Sequence, residues 1–338
     1  MSAAGAAARP FARVGVLGAG AWGTARAQLC ARNGAEAVLW ARAPAHAADI
    51  RKSRENRRRL PGVALDDRVA ATSDMADLAA ADALLLATPA QSLAQTLALV
   101  AASCGTADRS WTAAVCAKGF ERGTGRLQTE ILADALPNAR EAVLSGPSFA
   151  VDVARDAPTA VTLACADPET APRWIATLGG GAFRPYLSDD LVGAQVGGAA
   201  KNVVAIAAGV VVGRGLGDSA RAATIARGFA EMRRLGLALG ARGETLAGLS
   251  GLGDLVLTAT SAQSRNFSLG LRYGRGEAIG DAPLAEGAKS AATMASLAAR
   301  HGVETPIGDA VAALVDERTS VDEAIDALMA RPLKDEEA

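Results

Sequence analysis

At 338 residues the chain is too long for one ordinary core and suits two domains, and with half its residues hydrophobic and 21% charged it is excluded from the disordered class. A formal net charge of −1 gives no reason to expect nucleic acid or an anionic membrane as the main partner, so any anion site must be local. Cys30, Cys104, Cys116 and Cys165 form no C-x-x-C, and His46 and His301 stand alone; no metal site is expected, and the cysteines read as small buried hydrophobes of a reducing compartment.

In chain order, residues 1–10 read as a frayed, Ala-rich tail. No basic segment precedes an apolar one there, so no secretory signal is expected and the expected location is cytoplasmic. Residues 13–17 read as a strand, 21–33 as a helix stopped by Gly34, and 37–40 as a second strand, which makes a βαβ unit. Apolar runs of strand length follow at 82–87, 111–116, 142–145 and 159–165, separated by helical stretches at 91–104, 126–135 and 168–178. Strands without polar alternation belong to a parallel sheet covered on both faces. From about residue 190 helical periodicity takes over, at 191–212, 219–239, 283–301, 306–317 and 321–330, with an S-x-x-E capping box at Ser320 and Glu323. The charge-poor run 196–212 is broken by Lys201 and reads as a buried core helix, with no membrane insertion expected. The fold class is therefore α/β then all-α: a Rossmann-like doubly wound sheet in residues 1–189, then a helical substrate and catalytic domain in residues 190–338.

The turn after the first strand reads G-A-G-A-W-G. Gly18 permits the tight turn, Gly20 lets the backbone approach a pyrophosphate, and Gly23 allows close helix–strand packing, with Ala21 and Trp22 opening the helix. Its place between strand and helix is the context that makes this motif a dinucleotide site. After the second strand stands Arg42 where an NAD site has an acid, and an arginine there suits a 2′-phosphate; NADPH is favoured, with NADH as the alternative. The basic run 51–59 reads either as positive potential near the cofactor or as a solvated face.

Three polar insertions interrupt apolar surroundings: Lys118 at the end of a strand, Lys201-Asn202 inside the core helix, and Ser264-Arg265-Asn266 before a short helix, where a phosphate would meet a guanidinium and open backbone N–H groups. An ammonium in an apolar helix must be paired or lower its pKa, which is what a carbonyl reductase needs of a proton donor; the structural alternative is a lysine reaching the surface from the helix edge. Asp254 reads equally as a helix cap, and Ser148 as the N-cap of a helix over 149–155.

G-A-G-A-W-G-T, A-K-G, S-G-P-S-F-A (145–150), Q-V-G-G-A-A-K-N (195–202), G-L-G-D-L-V-L-T (251–258) and Q-S-R-N (263–266) closely resemble the bacterial-type NAD(P)-dependent sn-glycerol-3-phosphate dehydrogenases from about residue 13 to 334. The resemblance implies a C-terminal domain like that of 6-phosphogluconate dehydrogenase, a homodimer, and interconversion of dihydroxyacetone phosphate and sn-glycerol 3-phosphate for glycerophospholipid synthesis. It implies Lys201 as proton donor and acceptor, Lys118 contacting substrate and nicotinamide, and Asp254 in the substrate site. Gly146 and Ser148 fall at substrate contacts and Ala150 beside the cofactor. Ser264, Arg265 and Asn266 fall at the phosphate end, with Arg265 also touching the cofactor, and Leu284 and Glu286 at a further cofactor contact. The chain departs from the usual pattern at Ala43, where many relatives carry a second basic residue, at Ala90, where serine is common, and at the segment 283–287. Two rivals are weighed: a β-hydroxyacid-type dehydrogenase of the same architecture, which needs a cationic clamp for a carboxylate, and a non-catalytic NADPH sensor, against which both lysines argue.

Overall fold

The computed structural model describes residues 8–105, 110–279 and 285–332. Its strands are β1 (Arg13–Leu17), β2 (Glu36–Trp40), β3 (Val69–Thr72), β4 (Ala83–Leu86), β5 (Thr112–Val115), β6 (Arg140–Ser145), β7 (Thr159–Ala164) and β8 (Phe183–Ser188). The first-half helices are α1 (Ala21–Arg32), α2 (Pro44–Ser53), α3 (Leu93–Cys104), α4 (Gln128–Ala135), α5 (Ala150–Ala154) and α6 (Thr170–Leu178). All eight strands join one sheet in the order β3-β2-β1-β4-β5-β6-β7-β8, whose first six positions follow the 3-2-1-4-5-6 order of dinucleotide-binding folds. Successive strand residues feed opposite covers: Val14, Val16, Leu85 and Leu144 face one buried layer, and Leu17, Leu84, Leu86 and Val143 the other. This two-sided burial is why the strands are apolar throughout.

Two features depart from the expected parallel sheet. β7 runs antiparallel to β6, pairing Ser145 with Thr162, before β8 pairs parallel to β7. The connection between β6 and β7 holds only the five-residue α5, less than the long crossover helix usual for a parallel return. β3 and β8 were not anticipated: β3 is a four-residue V-A-A-T, and β8 carries Pro185, which an edge strand tolerates because no neighbour needs its missing N–H.

The helical half consists of α7 (Leu191–Gly213), α8 (Asp218–Ala238), α9 (Gly243–Ala247), α10 (Asp254–Thr260), α11 (Arg265–Gly274), α12 (Glu286–Arg300), α13 (Pro306–Val315) and α14 (Val321–Met329). α7 is apolar on every side because it is the hub, with α8, α10, α11 and α12 packed around it. Glycines set the closest approach: a Cβ on Gly270 of α11 would fall on the Ile206 carbonyl oxygen of α7, and one on Gly209 of α7 on that of Phe267. The expected capping box forms, with Ser320 and Glu323 bonding each other's backbone N–H at α14. The helix expected from residue 283 is observed from Glu286; residues 283 and 284 lie outside the described residues.

Candidate active site

β1, β4, β5 and β6 lie side by side and parallel, so the residues after them share one edge of the sheet. These are Gly18, Thr88, Lys118 and Gly146. At Gly18 the backbone is left-handed (φ +111°), and an added Cβ would sit 3.0 Å from the backbone of Ala87 and Thr88. A Cβ on Gly23 would fall on the Gly18 carbonyl oxygen, whereas one on Gly20 would meet nothing within 4 Å. Two glycines thus close the turn and the middle one leaves open space beside the start of α1, where Gly20 is the N-cap without a side-chain bond. The first-turn N–H groups there are available to an anion. Thr88 Oγ1 is buried along this edge with no partner among the described residues. An open cradle, a helix start and an orphaned hydroxyl on one edge fit a dinucleotide.

The helical half meets this edge through charged groups. Lys201, 6% exposed in the middle of α7, donates from Nζ to Asp254 Oδ1 at 2.6 Å and to Thr258 Oγ1 at 2.7 Å. Lys118 Nζ donates to Asp254 Oδ2 at 2.7 Å and to the Gly146 carbonyl oxygen at 3.1 Å, and stands 5.6 Å from the centre of the Trp22 ring. One carboxylate therefore holds two ammonium groups, one from each half of the chain. Burial pushes the Lys201 amine down to about 8, against the upward pull of Asp254 and with a smaller downward push from Lys118. A lysine at that value exchanges protons near neutral pH.

Asp254 owes its place to an irregular turn. Leu249–Gly253 is a π-helical segment leading straight into α10, a geometry found often at functional sites. A Cβ on Gly251 would fall on the Leu246 carbonyl oxygen, and one on Gly197 would lie 2.9 Å from Gly251 Cα, so glycine at both positions lets the turn press against α7. Asp254 is not the N-cap of α10, which is Gly253. Nor does Ser148 cap α5: the helix begins at Ala150 with Phe149 as N-cap, and Ser148 Oγ donates to the Gly146 carbonyl oxygen at 3.0 Å. Gly146 is left-handed (φ +146°), with its Cβ position 2.9 Å from Val161 Cα, so β7 passes directly under this loop.

A second layer links the same groups. Asn202 Nδ2 donates to the Lys118 carbonyl oxygen at 3.3 Å, Asn266 Nδ2 to Asn202 Oδ1 at 2.8 Å, and the Gly287 N–H to Asn266 Oδ1 at 2.8 Å. Ser264 is the N-cap of α11, accepting from the Phe267 N–H at 3.2 Å and keeping its own hydrogen to donate. Arg265 is exposed beside the first turn of α11. Glu286 opens α12 with Oε2 buried and unpartnered among the described residues, near the Cβ position of Gly119. Burial pushes its carboxyl up, with Lys289 and Arg265 pulling it down.

Residues 13–171 match the N-terminal family described as NAD-dependent glycerol-3-phosphate dehydrogenase N-terminus, and residues 190–326 the corresponding C-terminus. The chain belongs to the NAD-dependent glycerol-3-phosphate dehydrogenase family. It is 52% identical over 327 residues to the NAD(P)+ glycerol-3-phosphate dehydrogenase of Bradyrhizobium diazoefficiens, covering 97% of this chain and 99% of the relative. The Parvibaculum lavamentivorans enzyme of the same name is 50% identical, with 96% and 98% covered. A crystal structure of glycerol-3-phosphate dehydrogenase from Coxiella burnetii superposes with a TM-score of 0.90 at 35% identity, over 95% of this chain and 99% of that one.

Within this glycerol-3-phosphate dehydrogenase fold, the residues singled out in the sequence fall into two groups. Lys118, Lys201, Asp254, Gly146 and Ser148 are joined by hydrogen bonds, Asn266 is linked to the Lys118 carbonyl through Asn202, and Glu286 lies beside Gly119. Ala150 is buried at the start of α5, against α1. Arg42 is exposed two residues beyond β2, in the dinucleotide half, and Leu284 lies outside the described residues. Sequence reasoning missed Thr258 and Asn56. Thr258 was legible as the residue one helical turn after Asp254. Asn56 is 0% exposed and donates to the Ala19 carbonyl oxygen at 3.1 Å, but nothing in its basic surroundings marked it.

Proposed function

We propose that this chain reduces dihydroxyacetone phosphate reversibly to sn-glycerol 3-phosphate with a nicotinamide cofactor, and that NADPH is the preferred form. The observation that carries the reading is the buried Lys201 ammonium, shared through Asp254 with Lys118 at the edge where the dinucleotide turn ends.

The bound nicotinamide supplies the hydride that the carbonyl carbon receives. Lys201 Nζ holds the proton that the carbonyl oxygen takes up, and in the reverse direction it accepts that proton from the hydroxyl. Asp254 keeps Lys201 charged enough to act as an acid despite its burial, while Thr258 fixes the direction of the N–H bonds. Lys118 exchanges its bond to Gly146 for the substrate oxygen and stabilises the developing negative charge. Arg265, Ser264 and the first-turn N–H groups of α11 hold the phosphate, with Asn266 and Gly146–Ser148 shaping the rest of the substrate pocket. Glu286 and Ala150 border the cofactor. Burial pushes Cys30 up to about 12 and raises Cys116, which keeps both thiols protonated and out of the chemistry. We further propose a cytoplasmic homodimer that supplies glycerophospholipid synthesis.

The test is a substrate competition. Turnover with dihydroxyacetone phosphate should exceed that with 2- and 3-keto acids by orders of magnitude. Preference for a keto acid would overturn the reading in favour of a β-hydroxyacid dehydrogenase.

A further inference from the structure

Two cationic side chains are buried among the described residues, Lys201 and Arg26. Lys201 has the Asp254 carboxylate against it. Arg26, 3% exposed in α1, has no ion pair among the described residues, and its Nε and Nη1 are buried without a hydrogen-bond acceptor there. The side chain of a helical residue lies back over the preceding turn, and the guanidinium carbon stands 4.9 Å from the centre of the Trp22 ring and 4.8 Å from that of Phe183. The titratable groups acting on it are the thiols of Cys116 and Cys30, which burial pushes up, so neither carries a counter-charge at neutral pH. Two aromatic faces attract a cation but bear no net charge to cancel it. An arginine keeps its proton, so a full positive charge remains.

This charge sits behind the catalytic edge. Lys118 Nζ stands 5.6 Å from the same Trp22 ring centre, and Cys116 follows the last residue of β5, two before Lys118. Phe183 pairs with Thr159 at the start of β7, and Val161, two residues on, lies under Gly146. Trp22, Cys116, Ala150 and Phe183 belong to one apolar cluster, which leaves little water to screen the guanidinium. A nicotinamide ring that gives up a hydride loses two electrons with it and becomes a cation, while the phosphates and the adenosine half are unchanged. A fixed positive charge near the ring therefore opposes the oxidised form alone.

We propose that Arg26 is an electrostatic specificity residue that makes the site favour the reduced cofactor over the oxidised one, so that carbonyl reduction is not held up by its own oxidised product. The proposal rests on the dehydrogenase reading above and deepens it. Any attraction between Arg26 and the cofactor phosphates is common to both forms and cancels in the ratio of their affinities. At a separation on the order of 10 Å and an effective dielectric of about 20, a unit charge changes such a ratio by roughly tenfold.

The experiment measures dissociation constants without substrate, for NADPH by nicotinamide fluorescence and for NADP+ by displacement of NADPH, in the wild-type chain, Arg26→Met and Arg26→Gln. Both variants remove the charge; one offers an apolar side chain to the two rings and the other keeps polar atoms. Replacing an unpaired buried cation by a neutral group should leave Tm equal or higher. The expected result is that the Kd of NADP+ relative to that of NADPH falls at least about threefold in both variants, chiefly through tighter NADP+. NAD+ against NADH should shift by the same factor, since the ring undergoes the same change of charge. A smaller change in either variant overturns the proposal, and a lowered Tm with an unchanged ratio assigns Arg26 to packing instead. A shift confined to the NADP+/NADPH pair also overturns it, because that places the effect at the 2′-phosphate. If the wild-type chain binds none of the four cofactors, the dehydrogenase reading itself fails.

Discussion

Replacing Asp254 by Asn removes one charge and almost no volume, and the consequence can be worked from the site. The Lys201 amine sits at about 8 because burial pushes it down while Asp254, at 2.6 Å, pulls it back up. An opposite charge at such range is worth about 1–3 pKa units, so its loss brings Lys201 to roughly 6. At pH 7.5 the protonated fraction then falls from about three-quarters to about 3%, roughly 25-fold in available acid. The lysine shed of its proton no longer needs a counter-ion, so the fold should survive. The assay is the pH profile of carbonyl reduction under saturating substrate, with the fall at high pH expected to move about two units lower in the variant. A profile reduced in height but unmoved would refute the electrostatic role of Asp254 and leave it a merely geometric one.

Wild-type reduction should fall as pH rises through about 8, because it needs the charged form of Lys201, while alcohol oxidation should rise over the same interval; parallel profiles in the two directions would exclude Lys201 as the shared acid and base. Gly251→Ala places a Cβ on the Leu246 carbonyl oxygen and must open the π turn that carries Asp254, so turnover should drop at least about 100-fold with a lowered Tm. Wild-type turnover in that variant would contradict the tight-turn account. Glu231, 1% exposed, accepts the Ile307 and Gly308 N–H groups at 2.8 and 3.0 Å, and burial raises its carboxyl to about 7. A raised carboxyl favours the folded state when protonated, so its contribution is complete below the ordinary carboxylate range and is lost as pH rises through about 7. Relative to Glu231→Gln, wild-type stability in urea should decline by on the order of 2 kcal/mol between pH 5 and 8, and parallel curves would argue against it.

The sheet was legible where strands were long and buried on both faces, and the glycine fingerprint carried its own structural logic. β3 and β8 escaped because neither has the two-sided apolar run: one is four residues long and half alanine, the other an edge strand with a proline and exposed Tyr186 and Leu187. The antiparallel β7 escaped because strand direction follows from the shortness of the β6–β7 connection and not from residue type. In the site, Lys201 stood out because a charge in an apolar helix calls for an explanation. Asp254 did not, since an acid in a glycine-rich turn reads as well as a cap; only the π turn reveals that the surrounding glycines aim it between two lysines. The burial of Asn56 against the glycine turn depends on a contact 37 residues away in sequence, which no local pattern encodes.

Lys201→Met decides the central claim most directly, since it keeps most of the length and burial of the side chain and removes the ammonium that carries the exchangeable proton. The variant should bind NADPH as the wild type does and fold with equal or greater stability, yet reduce dihydroxyacetone phosphate at least about 1,000-fold more slowly, toward the upper range of a single acid–base contribution. Turnover within about tenfold of wild type, with cofactor binding intact, would show that the proton comes from another group.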